Sequence, residues 1–254
     1  MTTQDEPRAS RTGRTQAPAA APRPPVVLIA AHNEADRIAG TLDALRAAFP
    51  GAALVVADDG SSDGTSEVAL ANGAEVLRRG RPHGKGANMT AAAHAVAERA
   101  REPDPPVFLL CDGDLGSSAR HLERLVRAVR EGECELAVAA FARRVGGGFG
   151  VALRFARWAI RRRCGATTVA PVSGQRALSA AAFRDVVPFA PGFGMEIGIT
   201  IDAVRAGHEL REYELDLDHR ATGRTPAGFI HRGRQLRDFV HVYFERRPRA
   251  RGAS

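Results

Sequence analysis

PVVLIAAHNEADRIAGTLDALRAAFPGAALVVADDGSSDGT, residues 25–65, decides the fold of this chain. It begins and nearly ends with PVVLIA (25–30) and ALVVAD (53–58), apolar β-branched runs bounded by Gly, Pro and Asp, which is the pattern of buried strands. The stretch from Glu34 to Ala48 between them reads as a helix. Working outward, AEVLRR (74–79) and PVFLLCD (106–112) repeat the strand pattern. A short segment after Asp63, then Gly86 to Ala100 and Ser118 to Arg130, repeat the helical one. This alternation predicts an α/β fold with a mostly parallel sheet covered by helices on both faces.

After a strand at Glu135 to Phe141 the alternation stops. A Gly-rich link (Gly146 to Gly150) leads into a basic, Trp-containing helix from Phe149 to Arg163, then SGQRALS. A helix opens near Met195 in GFGMEIGITIDAVRAG, a strand covers Glu209 to Leu217, and a last helix spans about Phe229 to Glu245. At 254 residues and 27.0 kDa, one domain over residues 26–245 is expected, with differently built halves at 26–115 and 116–245. Residues 1–25 and the basic stretch 246–254 lack hydrophobic periodicity and read as disordered tails.

The 36 basic residues against 29 acidic ones give a net charge of +7, which favours anionic partners. Nearly all of that basicity is arginine, and Lys85 is the single lysine. Three widely spaced cysteines, Cys111, Cys134 and Cys164, form no CxxC pair, so neither a disulfide framework nor a cysteine zinc site is expected and a reducing cytoplasm fits. The N-terminus has no apolar signal core, and no run approaches the roughly 18 apolar residues of a membrane span. Specific nucleic-acid binding is not expected, because 6% aromatics leave few stacking platforms and no helix-turn-helix or zinc motif is present.

Open parallel sheets bind ligands beyond the carboxyl ends of their strands. At three such ends lie His32, Asn33 and Glu34, then Asp58, Asp59, Gly60 and Ser61, then Asp112, Gly113 and Asp114. The D-x-D triplet Asp112-Gly113-Asp114 can aim two carboxylates at one hard cation, with a diphosphate completing the coordination. It can equally be a solvated turn whose Ser117 or Ser118 caps the next helix. DDGSSDGT (58–65) crowds acceptors where a nucleoside offers N–H and O–H donors, although Ser62 or Asp63 can also cap a helix there. In GRPHGKGANM (80–89), Lys85 stands between two glycines directly before a helix, placed for phosphate or base oxygens or else in a solvated loop. The Walker spacing is absent.

In order, AAHNEADRIAGTL, VVADDGSSDGT, GKGANM and CDGDLGSS resemble the family 2 glycosyltransferases of the GT-A fold, over about residues 26–118. In the second half, SGQRAL, GFGMEIG and DHRATGRT are similar to the branch that contains polyprenyl-phosphate sugar synthases and glucosyl-phosphoglycerate synthases. The resemblance implies metal-dependent transfer of one sugar from a nucleotide-diphosphate sugar, UDP favoured over GDP, to a polyprenyl phosphate or another small or lipid-linked phosphorylated acceptor. It makes 26–115 the nucleotide-sugar half, with Ala31, His32, Asn33, Glu34, Asp58, Asp59, Lys85, Asp112 and Gly113 around the donor. Asp112, Asp114 and a late histidine, His219, would hold Mg2+ or Mn2+. Glu196 is the implied general base or acceptor-positioning group, and Gln175, Arg176, Arg220, Arg224 and Arg232 the groups near departing diphosphate or acceptor phosphate. The QxxRW signature of processive synthases is missing, which favours transfer of a single sugar.

Two other classes compete with this reading. A nucleotidylyltransferase can share such a sheet, but AAHNEAD stands where its Gly-rich GGxGxR-like loop would follow the first strand. A non-catalytic binder of anionic ligands needs only the basic charge. On a helical wheel Arg154, Arg157 and Arg161 share one face of the 149–163 stretch, so it is either a peripheral membrane contact on the cytoplasmic side or a core helix with its basic side in solvent.

Overall fold

The computed structural model of the chain describes residues 23–141, 150–218 and 226–247, with backbone alone for 226–234. The strands are β1 (Val26–Ala31), β2 (Ala53–Asp58), β3 (Glu75–Arg78), β4 (Phe108–Asp112), β5 (Leu136–Phe141), β6 (Arg176–Leu178) and β7 (Leu210–Leu215). They form one sheet in the order β3-β2-β1-β4-β6-β5-β7. All neighbours are parallel except β6, which runs antiparallel to both β4 and β5. The α/β architecture, mostly parallel and flanked by helices, is the expected GT-A arrangement. The antiparallel β6 is an addition, since SGQRALS carried no strand reading and three residues are too few for periodicity to show.

The helices are α1 (Ile38–Ala48), α2 (Thr65–Ala71), α3 (Lys85–Ala95), α4 (Glu123–Arg130), α5 (Val151–Cys164), α6 (Ala180–Val186), α7 (Met195–Arg205) and α8 (Pro226–Glu245). Alternation along the strands splits the core in two. Val27 and Ile29 of β1 pack with Leu109 and Cys111 of β4 on one face, where α1 inserts Ile38, Leu42 and Leu45 at helical spacing. Val26, Leu28, Phe108 and Leu110 face the other side, against Met89 of α3 and Phe183 of α6. Each fully buried side chain of this size contributes roughly 1.5–3 kcal/mol through apolar burial.

The largest shifts from the predicted boundaries are at three helices. The 34–48 helix begins at Ile38, because residues 34–37 form a turn closed by Arg37 N and Ile38 N donating to Glu34 O. The 86–100 helix ends at Ala95 and continues as a 3-10 turn, Ala97–Arg101. The 118–130 helix starts as a 3-10 segment, Gly116–Leu122, before α4. Neither Ser117 nor Ser118 caps it; the Ser118 hydroxyl donates to Leu115 O at 2.7 Å and accepts from Asp218 N at 3.0 Å. The Gly-rich link and nearly all of the predicted tails lie outside the described residues, though Arg23 pairs with Glu102.

α5 packs on the core with Arg154, Arg157 and Arg161 exposed, as one of its two helical-wheel readings had it, but its apolar side chains divide between core and surface. Its buried residues are Ala156, Ala159 and Ile160, and Ala156 and Ile160 join Ile197 and Ile201 of α7 and Phe239 and Val242 of α8 in a third apolar cluster. Trp158 and Val151 point outward instead, 50% and 57% exposed. Small alanines let the helices approach closely, which a tryptophan in their place would prevent.

Candidate active site

At the carboxyl edge of the sheet, four separate segments converge, one of them carrying the single lysine. Lys85 is the first residue of α3, Asp112 the last of β4, Gln175 directly precedes β6, and Glu196 lies in the first turn of α7. Lys85 Nζ donates to Asp112 Oδ1 at 2.6 Å and pairs with Glu196 Oε1 at 2.8 Å. Gln175 Nε2 donates to the other Asp112 oxygen at 2.7 Å, and the Ser173 hydroxyl donates to Gln175 Oε1 at 3.1 Å. Burial opposes the charge on Lys85, but the Asp112 and Glu196 carboxylates outweigh it and hold the ammonium well above its ordinary value. The same burial, with the nearby Asp112 charge, pushes the neighbouring Cys111 thiol up and makes it inert.

Gly174 covers this pair. A Cβ there would stand 2.6 Å from Lys85 Nζ and 2.8 Å from Asp112 Oδ2. Gly174→Ala is therefore expected to displace the pair with little loss of stability, since only side-chain ends must move, and to weaken donor binding or turnover by roughly tenfold to a hundredfold. Parallel thermal melts and donor titrations test this; a large drop in Tm with intact binding would contradict it.

The first and second loops are knitted together. Asn33 takes the left-handed conformation (φ 56), its N donates to the Ser61 hydroxyl at 2.9 Å, and its Oδ1 accepts from Ser62 N at 3.0 Å. His32 Nδ1 lies 3.1 Å from Asp59 O, and Glu34 N donates to the Thr65 hydroxyl at 2.9 Å. Neither Ser62 nor Asp63 caps α2, whose N-cap position is Gly64 with no side-chain cap. Asp63 stands one residue ahead and accepts from Thr65 N, the Thr65 hydroxyl and Ala35 N, and that hydroxyl first of all holds its carboxyl below the ordinary range. Ala31 is the final residue of β1 and is buried, so it contributes backbone rather than a side chain to the edge.

Two expected ligand groups prove to be internal. Asp58 was expected to hold the nucleoside, yet it is wholly buried. Oδ1 accepts from Ser61 N and Ser61 Oγ, and Oδ2 from the Ser66 hydroxyl, so the carboxylate organises its own loop. Arg176 was expected near a phosphate, yet it is 1% exposed. It donates to Ser173 O and the Thr200 hydroxyl, both at 2.8 Å, and so ties β6 to α7. Burial lowers its guanidinium to about 10 against the pull of Glu196 and Glu212. Asp59 also has a structural task, accepting from His83 N and Gly84 N at 2.8 Å and so fixing the loop ahead of Lys85.

Gly113 and Asp114 follow Asp112 at the same edge, where Gly113 N donates to Ala30 O at 2.9 Å. The buried Thr41 was not singled out by sequence. Its hydroxyl donates to Gly113 O and accepts from Gly116 N, both at 2.8 Å, so α1 pins the D-x-D turn. Nothing local marks this role of Thr41, because the two groups it pins are over 70 residues away. His219, Arg220 and Arg224 lie outside the described residues, as does the side chain of Arg232.

Among the described residues no group of three or more His, Cys, Asp or Glu could by itself hold a metal. The carboxylate oxygens of the D-x-D turn are nevertheless the hard donors that Mg2+ and Mn2+ prefer, and both ions keep water or substrate oxygens in their shells. The donor chemistry therefore fits a divalent ion completed by a diphosphate.

A mostly parallel α/β sheet with an acidic D-x-D turn, a lone lysine and a buried glutamate at its carboxyl edge defines the GT-A class. The sequence model for glycosyl transferase family 2 matches residues 26–183, more than half of the chain, and the chain belongs to that family. It is a nucleotide-sugar glycosyltransferase. Among curated proteins it is 27% identical to an undecaprenyl-phosphate mannosyltransferase of Micrococcus luteus, over 79% of this chain and 86% of that one. Glucosyl-3-phosphoglycerate synthase of Mycobacterium tuberculosis is similar in structure. Its complex with Mn2+, UDP-glucose and glycerol 3-phosphate has a TM-score of 0.69 at 25% identity, covering 88% of this chain and 80% of that chain. Its complex with Mg2+ and UDP has a TM-score of 0.69 at 26% identity, covering 88% and 79%.

Proposed function

We propose that this enzyme transfers one sugar from a UDP-sugar to a phosphorylated acceptor, small or lipid-linked, in a reaction that depends on Mg2+ or Mn2+. The observation that carries this reading is the Lys85 ammonium held between Asp112 and Glu196 at the sheet's carboxyl edge. It is supported by the solved relative whose complexes contain a divalent metal, UDP-glucose and a phosphorylated acceptor, and by the curated relative named for a lipid phosphate.

Asp112 and Asp114 would hold the ion, which when bound offsets charge on the departing diphosphate. Lys85 adds a fixed positive charge beside the same carboxylate, pre-organised by two ion pairs rather than recruited from solvent. Gln175 keeps the second Asp112 oxygen oriented. Glu196 is occupied by Lys85, which suits a positioning role: a phosphate oxygen is already ionised near neutral pH and attacks the anomeric carbon without a strong base. His219, Arg220, Arg224 and Arg232 belong to this proposal as further metal and phosphate groups. A lipid-linked acceptor would be met at the cytoplasmic face of the membrane, with helix α5 toward the lipid.

Calorimetric titration of UDP- and GDP-sugars, with and without Mn2+ or Mg2+, tests the donor half. Metal-dependent binding of the UDP-sugar is expected, falling by about 10²-fold or more in an Asp112→Asn/Asp114→Asn variant. A well-folded wild type that binds no nucleotide sugar would overturn the reading. Release of UDP, as opposed to pyrophosphate, on adding a polyprenyl phosphate or glycerol 3-phosphate separates transferase from nucleotidylyltransferase chemistry.

A further inference from the structure

Helix α5 carries five arginines, Arg154, Arg157, Arg161, Arg162 and Arg163, and no acidic residue over its 14 residues. Of the large apolar side chains most exposed among the described residues, Val151, Trp158, Val169 and Phe244 gather about this helix. Arg157 donates to Val169 O at 2.6 Å, which brings that residue alongside. From α8, Tyr243 packs against Trp158 at a tilt of 34° with ring centroids 4.8 Å apart and meets Phe244 edge-on at 5.4 Å. Arg163 lies over the Tyr243 ring at 3.7 Å and Arg247 over Phe244 at 4.5 Å. With Ala156, Ala159 and Ile160 taken by the core, Val151 and Trp158 lie on the outward arc, between Arg162 on one flank and Arg154 and Arg161 on the other.

We infer that this two-helix face is a docking surface for an anionic lipid bilayer. A central strip of tryptophan, phenylalanine and valine rimmed by arginines is what an interfacial element presents: the apolar strip enters the headgroup boundary while the guanidiniums meet lipid phosphates. Nucleic acid fits less well, because the Trp158 ring is already covered on one side by Tyr243 instead of standing free to stack on bases. The other side of α5 packs on α7, the helix whose first turn holds Glu196, so the face belongs to the acceptor half of the molecule. The inference deepens the lipid-linked branch of the proposed function but does not depend on which sugar is moved.

Trp158 is the only tryptophan in the chain, so its emission reports on this face alone. The full chain is mixed with vesicles of phosphatidylcholine carrying about one third phosphatidylglycerol, and with phosphatidylcholine vesicles as control. Sedimentation with the anionic vesicles, a blue shift of the emission and quenching by brominated lipid tails are expected. Arg154→Glu/Arg161→Glu/Arg162→Glu should lower the partition coefficient about a hundredfold, and Trp158→Ser/Phe244→Ser should weaken binding at high salt most. Equal pelleting of wild type and the triple variant overturns the proposal, as does pelleting with unchanged emission, or a blue shift produced by DNA or self-association and not by vesicles. UDP titration of the same variants, expected unchanged, keeps failure of the donor reading distinguishable from failure of the membrane face.

Discussion

Replacing Lys85 by methionine is expected to lower stability by about 2–4 kcal/mol and turnover by roughly 10²- to 10³-fold. The substitution keeps most of the volume but leaves two carboxylates facing each other without the cation, and the Glu196 side chain is only 7% exposed. The cost is set toward the lower end of what breaking a fully buried pair brings, because the lysine and Asp112 side chains retain 22% and 33% exposure and solvent screens part of the effect. A double-mutant cycle is the sharper measurement. Lys85→Met/Glu196→Gln should recover part of the stability lost in Lys85→Met, since one uncompensated charge is gone; strictly additive urea midpoints would show that the two groups are uncoupled. The pH dependence follows from the raised lysine value. Such a group stabilises fully below its unfolded value of about 10.4, and the contribution is lost only as pH rises through the still higher folded value. The lysine's contribution should thus stay level between pH 7 and 9.

Gly86→Ala should destabilise by about 3 kcal/mol or more, the reverse of what its helical position alone would suggest. In an exposed helix this substitution gains up to about 1 kcal/mol. Here the added Cβ would lie 1.9 Å from Ala190 O and 2.9 Å from Ala190 C, and a backbone wall cannot rotate away. The same contact is locked from the side by the Thr90 hydroxyl, which donates to Gly86 O at 2.8 Å and accepts from Phe189 N at 3.0 Å. Residues 189–194 lead directly into α7, so relief of the clash would carry Glu196 away from Lys85, and a shift of about an ångström can cost 10²-fold in rate. A raised Tm in this variant would show that α3 and the 190–191 segment are not in contact in solution.

Sequence alone determined a good deal of this protein. Strand and helix alternation through PVVLIA, ALVVAD and PVFLLCD specified the parallel half, because buried parallel strands are continuously apolar and their helices amphipathic, both of which are local patterns. The edge rule then placed Asn33, Asp59 and Asp112 along one rim before any distance was known, while Lys85 stood out as the single lysine between two glycines ahead of a helix. Only the tertiary structure could separate the polar groups that face that rim from those spent inside. Asp58 and Asp59 are adjacent acids, yet the first is sealed against Ser61 and Ser66 and the second clasps the His83–Gly84 backbone. Gln175 and Arg176 are adjacent too, and strand alternation sends one to Asp112 and the other into the body of the molecule. On α5, the helical wheel could not show which arc is buried; that was decided by α7 and α8, which accept alanines and reject the tryptophan. Burial of a polar or aromatic side chain depends on partners brought from distant parts of the chain, such as Gly113 for Thr41 or Ala190 for Gly86, and that information exists only once the chain has folded.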